Sequence, residues 1–527
     1  MDAALPPFVQ ALCQESAYAH AVEQPIQLLQ THISYVFLTG EYAYKVKKPA
    51  DFGFLNFTTL EKRLFYCQEE LRLNSRLSGE LYLAVVPIFD LGSDRYRVGT
   101  PEELTHTNPT DKIVDYAVQM RQFQQSQLFS QLFAADQLTP ELMDTLGKEL
   151  AHFHQTAATS PDISAFGSPE AVAQVARNSY SLGENFIGRS QTQAQFTATK
   201  AFSDRFFAEH HDWLEKRQRD HKIRECHGDL HLNNICLHHG KVQIFDCIEF
   251  NQEFRNIDGI YDAAFLVMDL QFRQRPDLAQ RFLNAYLEWS NDYEGAVLLP
   301  LYLSMRAYIR GNVNSLALND PAIPAADKET IQATAAAYFK AAYDYTQVQP
   351  GKLYVTCGLS GAGKTTLARY LSTQIGAIHI RSDAVRKHLA GVPLDQRSQG
   401  SETFAGGIYT PEMTAKTYDL LLELGLFLVA AGQTVILDAK YDRQFHRERV
   451  IEGAKNQGTT LEILHCQAPM TVMQQRLGDR RGDIAEATPP ILEQQAADFE
   501  PFTTPEQAYV RSIDTTQPIH HLHLLEK

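Results

Sequence analysis

Gly358-Leu359-Ser360-Gly361-Ala362-Gly363-Lys364-Thr365-Thr366 follows an apolar run, Leu353–Val355, and leads into Leu367, Tyr370 and Leu371 at helical spacing. Strand, glycine-rich loop and helix in that order are the setting in which GxxxxGK[ST] binds a polyphosphate. The glycines at 358, 361 and 363 let backbone N–H groups turn inward, and Ser360, Ala362 and Thr366 complete the cradle at the positive end of the helix. Lys364 is placed to reach the β and γ phosphates and the Thr365 hydroxyl to ligate a cation, so ATP and Mg²⁺ are the expected cofactors. Beyond the loop the pattern alternates: strand 353–357, helix 364–375, strand 377–380, helix 412–431, strand 434–437, helix 444–456, strand 460–465. That alternation predicts a parallel sheet covered by helices, an α/β domain over 351–527.

Working upstream, Gln347-Val348-Gln349-Pro350-Gly351 reads as a domain junction. Before it, 138–345 is mostly helical, with Glu141–Thr156, Phe202–Arg219, Leu278–Trp289 and Leu298–Ile309 as examples. Residues 20–120 read as a β-rich lobe with one helix over 59–78, a hairpin over 33–47 and strands Leu81–Phe89 and Tyr96–Val98. Inside the helical region lies His227-Gly228-Asp229-Leu230-His231-Leu232-Asn233-Asn234, then Val242–Phe245 closing on Asp246. An Asp, an Asn five residues on and an Asp ending the next strand resemble the apparatus of protein-kinase-like phosphotransferases.

On these residues the region 1–347 resembles the aminoglycoside phosphotransferase and choline kinase superfamily, small-molecule kinases with a bilobal, α+β protein-kinase-like fold. The resemblance implies that Asp229 accepts the proton of an attacking hydroxyl and that Asn234 and Asp246 hold Mg²⁺. His227 would lock the loop, and Asp262 would brace it. Tyr42-Ala43-Tyr44-Lys45 resembles the strand whose lysine meets the α and β phosphates. Lys45 is the choice, with Lys47 on the same strand face, and Glu70 is its expected helix partner with Glu69 as rival. No GxGxxG precedes Lys45. Asp51-Phe52-Gly53 matches a kinase triplet by letters but precedes the catalytic loop, so a turn is expected. His227 and His231 lack a third metal ligand.

Residues 351–527 resemble the P-loop small-molecule kinases, gluconate-kinase-like, zeta-toxin-like and polynucleotide-kinase-like domains among them. Arg381-Ser382-Asp383-Ala384-Val385-Arg386 closes the strand after the loop; the resemblance makes Asp383 the base and gives Arg386 an anionic acceptor or Asp383 itself to hold. Asp438 ends the next strand, as a Mg²⁺ carboxylate or an aid to the acceptor. Arg476-Leu477-Gly478-Asp479-Arg480-Arg481 resembles a lid, with Arg480 the preferred catalytic contact and Arg476 the second choice.

The tandem resembles bacterial proteins that join these two domains, which implies a bifunctional kinase acting on hydroxyls of small molecules. Two other readings stay open: a nucleic-acid 5′-hydroxyl kinase in the C-terminal domain, or a regulatory ATPase controlling the N-terminal kinase. Arg306 and Arg310 on a late helix hint at a neutral or anionic acceptor rather than a cationic one. A net charge of −15 argues against broad binding to nucleic acid or anionic membranes, though it leaves room for a local basic groove. Seven scattered cysteines (13, 67, 226, 236, 247, 357, 466) without a CxxC pair suit reduced thiols in the cytoplasm. The N-terminus, Met1-Asp2-Ala3-Ala4-Leu5, lacks a basic segment leading into an apolar core, so no secretory signal is expected. The apolar stretch Leu420–Ala431 contains Glu423 and is too short to span a bilayer, so it reads as a buried helix and no membrane partner is expected.

Overall fold

The computed structural model describes residues 5–53, 55–105, 112–320, 323–398, 407–479 and 484–519. The chain divides into two compact units. The first holds Met1–Leu138, Thr156–Val172 and His211–Asp262; the second holds Thr139–Gln155, Ala173–His210 and Ala263–Lys527. The junction anticipated over 347–351 lies within the second unit, as irregular chain between the helix Ala325–Asp344 and the strand starting at Lys352.

The first unit is organised by an antiparallel sheet in the order β1-β2-β3-β6-β4-β5. Its strands are β1 Gln27–Gln30, β2 Ser34–Leu38, β3 Tyr42–Lys47, β4 Tyr82–Asp90, β5 Tyr96–Val98 and β6 Lys112–Arg121. The hairpin, the helix and strands β4 and β5 follow the sequence pattern, whereas β6, at the centre of the sheet, carries no clean alternation. Asp115 sits mid-strand at 2% exposure, made tolerable there by Arg63 Nε, which donates to its Oδ1 at 2.8 Å. Arg63 comes from the helix Leu60–Ser78, capped by Thr59, whose hydroxyl accepts the Lys62 N–H. The helix packs on β4 and β6 through Cys67 and Leu71. Farther on, β7 Ile223–Glu225 pairs with β10 Asn256–Asp258, and β8 Ile235–His238 with β9 Lys241–Ile244, framing the 227–234 loop.

The second unit contains a five-stranded, wholly parallel sheet ordered β12-β13-β11-β14-β15. The strands are β11 Lys352–Cys357, β12 Ile378–Arg381, β13 Val435–Asp438, β14 Thr460–Gln467 and β15 Val510–Asp514. Leu353, Val355, Ile380, Val435, Leu437 and Ile463 are fully buried, as strands covered on both faces require. In-register pairing of Thr356 and Arg381 with Asp438 brings the three carboxyl ends level, beside the loop that follows β11. The helix Pro411–Ala430 buries Leu421, Leu424 and Leu428. Helices gather beside the sheet: Gly147 of Pro140–Thr156 meets Pro276–Ser290 so closely that a Cβ would lie 2.7 Å from Ala285 Cβ and 2.8 Å from Phe282 O. The helix expected over 202–219 is two, Gln193–Glu209 and His211–Arg219, because His210 leaves helical geometry (φ −115°, ψ 20°). Among the described residues no helix is long and apolar enough to cross a membrane.

Candidate active sites

In the first unit, β3 points Lys45 and Lys47 to the same face, and both reach Glu70. Lys45 Nζ lies 2.8 Å from Glu70 Oε1 and 2.5 Å from Asp246 Oδ1, and Lys47 Nζ lies 2.6 Å from Glu70 Oε2 and also hydrogen-bonds Glu249. The result is a ladder of alternating charge, Asp246–Lys45–Glu70–Lys47–Glu249. Its inner rungs are sealed, with Lys47 side chain at 1% and Glu70 at 0% exposure, while the Asp246 side chain is 43% exposed. Burial alone would lower the Lys45 pKa, but the Asp246 and Glu70 charges outweigh it and hold the ammonium well above its usual value. Burial opposes ionisation of Glu70 too, and the two lysines overcome it, keeping that carboxyl below its usual range. Glu249 is pushed up by burial. The rival Glu69 faces elsewhere, toward Arg72 at 2.9 Å and Arg255 at 3.6 Å.

The 227–234 loop is fixed by main-chain hydrogen bonds. Asp262 accepts the His227 N–H at 3.0 Å and the Gly228 N–H at 2.8 Å. His227 Nδ1 accepts the Asp229 N–H at 3.2 Å, so Nε2 carries the proton and donates to Phe245 O at 2.8 Å. Burial lowers its pKa, which keeps that neutral form. With both nitrogens engaged His227 is no metal ligand. Gly228 is required, since its φ is +90° and a Cβ would sit 2.7 Å from Phe254 O. Asn234 Nδ2 donates to Asp229 O at 2.9 Å and to Asp229 Oδ2 at 3.2 Å, leaving the amide oxygen as the end for a cation. His231 Nε2 lies 3.4 Å from the same carboxylate oxygen. Asp246 adopts φ 64°, a left-handed backbone that non-glycine residues rarely hold outside constrained sites. Asp51 takes the Gly53 N–H at 2.9 Å and the Asn56 amide at 2.7 Å, which is a turn.

In the second unit a cavity of about 1190 Å³ opens at the carboxyl ends of the parallel strands. Gly358, Gly361 and Gly363 hold φ of 132°, 76° and 83°, and a Cβ on Gly358 would lie 2.5 Å from Cys466 O. Lys364 begins the helix Lys364–Ile375 and its Nζ donates to Leu359 O at 2.8 Å. Burial lowers the Lys364 pKa, with Asp438 acting against it. Asp438 accepts from Thr356 Oγ1 at 3.0 Å and from His379 Nε2 at 3.1 Å. Burial would raise its pKa; the His379 bond and the Arg381 and Lys364 charges prevail and hold it well below the carboxylate range. Asp383 heads the helix Ser382–Leu389 and accepts the Tyr409 hydroxyl at 3.3 Å. Arg386, one turn on, donates to Ile408 O at 3.3 Å and Thr414 Oγ1 at 3.0 Å, and its guanidinium lies 4.9 Å from the centre of the Tyr409 ring. Tyr409 thus stands between the two.

Arg480 and Arg481 lie outside the described residues. Arg476 is committed to the phosphate loop and to Thr515: it donates to Gly361 O at 3.3 Å, Thr515 O at 2.7 Å and Thr515 Oγ1 at 3.1 Å, fastening the helix Met470–Asp479 to the loop. Arg306 is buried over the Phe265 ring, and Arg310 lies over that of Tyr338. Residues that line the cavity but carried no sequence signal include Tyr409, Thr414, Tyr418 and His446, the last two stacked at 4.0 Å. Lys440 and Asp442, an ion pair at 3.0 Å, also line it; their place just past a strand end after Asp438 is the signal that could have found them. In oxygen-only donor sets, Asn234 with Asp246 and Thr365 with Asp438, the chain offers what Mg²⁺ prefers.

Comparison with known proteins follows the same division. Residues 67–299 match the model of the phosphotransferase enzyme family, and residues 353–502 match a model described as an AAA domain. Uncharacterized proteins of Mycobacterium tuberculosis (H37Rv) and Mycobacterium bovis are each 28% identical over 481 residues, covering 91% of this chain and 91% of their own. Solved structures that resemble parts of it include a gluconokinase from Sinorhizobium meliloti (20% identity, 33% of this chain, 87% of that one, TM-score 0.24). Another is the amicoumacin kinase hAmiN (15%, 64% and 95%, TM-score 0.36). The chain joins an aminoglycoside-phosphotransferase-like domain to a P-loop kinase-like domain, and it is an ATP-dependent kinase.

Proposed function

We propose that the chain is a bifunctional phosphotransferase with two Mg²⁺·ATP centres, each phosphorylating a hydroxyl of a small molecule. What supports it is that each unit brings its own group of polar residues together: Lys45 beside Asp246 and Asn234 beside Asp229 in the first, the phosphate loop with Asp383 and Asp438 around one cavity in the second. Asn234 and Asp246, and Thr365 and Asp438, would hold Mg²⁺, which would supply charge neutralisation along the triphosphate.

At the first centre Lys45 binds the α and β phosphates, oriented by Glu70. Asp229 takes the proton of the acceptor hydroxyl; a bond forms from that oxygen to the γ phosphorus as the bond from the γ phosphorus to the β–γ bridging oxygen breaks, and ADP leaves. At the second centre Asp383 takes the corresponding proton, while Tyr409 holds its carboxylate in place. Backbone N–H groups of 360–365 bind the phosphates, and Lys364 neutralises the γ group. Arg386 fits an acidic group on the acceptor, reached through the wall it shares with Tyr409. The scattered, unpaired cysteines suit action in the cytosol.

The test is an acceptor screen with the full chain, comparing Asp229→Ala and Lys364→Ala. Each substitution should remove one set of products, with losses of at least about a hundredfold. If Asp229→Ala leaves every phosphotransfer intact while Lys364→Ala abolishes all of them, the two-centre reading is wrong.

A further inference from the structure

The helix Pro276–Ser290 carries Gln280, Asn284 and Glu288 at intervals of four, which places them in one row on its surface. That row lies along β12, the edge strand of the parallel sheet. Gln280 Nε2 donates to Ala377 O at 2.8 Å, and Asn284 Nδ2 donates to the same carbonyl at 3.1 Å. Asn284 Oδ1 accepts the His379 N–H at 3.1 Å. Glu288 Oε1 lies 3.5 Å from Arg381 Nη1, with the two side chains only 14% and 5% exposed. The main chain and neighbour of Glu288 support the next helix: Glu288 O accepts from His388 Nε2 at 2.8 Å, and Trp289 packs on Ala384, Leu394 and Ile484.

Three of these contacts lead on to an acid of the second centre. His379 donates to Asp438 directly, Arg381 pairs with Asp438 across β12 and β13, and Ala384 and His388 belong to the helix headed by Asp383. We infer that Asn284 and Glu288 are positioning residues of the second phosphotransfer centre, which is thereby completed by a helix from the region matching the phosphotransferase family. This rests on the proposed role of Asp438 as a Mg²⁺ carboxylate. Glu288 gives Arg381 a counter-ion of its own. With that charge removed, the pull of the guanidinium on Asp438 is less opposed and competes more strongly with the cation.

The test uses the full chain and a fluorescent ATP analogue, counting only the binding that Lys364→Ala abolishes and titrating Mg²⁺. Asp438→Asn serves as reference. Glu288→Gln, nearly isosteric, should raise the half-saturating Mg²⁺ concentration about tenfold, the range in which residues behind metal ligands act. Adding Arg381→Gln to Glu288→Gln should bring that concentration back toward the wild-type value, which a merely structural role for Glu288 would not do. Asn284→Ala should shift it in the same direction as Glu288→Gln, with thermal melting showing the variant folded. If Asp438→Asn raises the Mg²⁺ requirement and Glu288→Gln does not, the inference alone is overturned. If Asp438→Asn changes nothing, the role of Asp438 fails and the inference falls with it.

Discussion

Replacing Lys47 by methionine separates the two lysines of β3. Lys47 is 1% exposed and neutralises two carboxylates, Glu70 and Glu249, at 0% and 4% exposure. Removing one partner of such a buried set leaves a charge with nothing to face it, at about 3–5 kcal/mol. Glu249 is the residue stranded, because Lys45 is already held by Glu70 and Asp246. Lys45→Met strands less: Glu70 keeps Lys47, and Asp246 is near enough to solvent to be hydrated. Because the chain forms two units, a single unfolding midpoint is poorly defined, so local hydrogen exchange is the right assay. Lys47→Met should speed exchange in Leu60–Ser78 by about a hundredfold or more, since about 1.4 kcal/mol corresponds to tenfold. Lys45→Met should speed it by about tenfold at most, yet abolish nucleotide binding at the first centre. Equal exchange in the two variants, or nucleotide binding lost only with Lys47→Met, would refute the assignment.

Glu225 accepts from Arg72, Arg76 and Arg255; burial works to raise its pKa, but the arginines prevail and bring it down to about 2. Its folded value is below the unfolded one of about 4.3, so its stabilisation is present above that pH and lost as pH falls toward the folded value. Urea midpoints read by Trp213 fluorescence, with Trp289→Phe silencing the other of the two tryptophans, should decline between those values and lose that slope in Glu225→Gln. Gly358→Ala should abolish ATP-analogue binding at the second centre and leave the first unchanged, because the added carbon would meet Cys466 O at 2.5 Å. Asp262→Asn should cut turnover at the first centre by about tenfold or more with little change in KM for ATP, because it loosens the His227 and Gly228 amides that hold the loop carrying Asp229, the proposed base. Asp383→Asn should retain nucleotide binding at the second centre and lose transfer by at least about a hundredfold, read by calorimetry beside product formation.

What the sequence made legible was local. A phosphate loop keeps glycines at fixed offsets, and Asp229 and Asn234 stand five apart as in the loops of kinase-like phosphotransferases, so both stand out in one dimension. The parallel sheet was equally plain, since buried strands between helices are apolar throughout. Choices between neighbours were harder. Lys45 and Lys47 share a strand face, and only the depth of Glu249 behind the second shows which one opens to solvent. Glu70 and Glu69 differ by a turn angle that the packing of Leu60–Ser78 decides. Strand β6 hid behind Asp115, whose partner Arg63 is 52 residues away. Arg476 reads as a lid residue by letters, yet its guanidinium is occupied by carbonyl groups of the loop and of Thr515, partners that no spacing announces. Nothing local in the Gln280, Asn284 and Glu288 row tells water from a strand edge, so its role is not legible in sequence.

That row has a practical meaning for anyone dissecting the protein. A fragment beginning at Lys352 would uncover Ala377 O, the His379 amide and the Arg381 side chain along an unprotected margin, together with the surface on which Trp289 rests. Bare margins of this kind recruit other chains, so such a truncation should come out of cells as aggregate even though its nucleotide motif is intact.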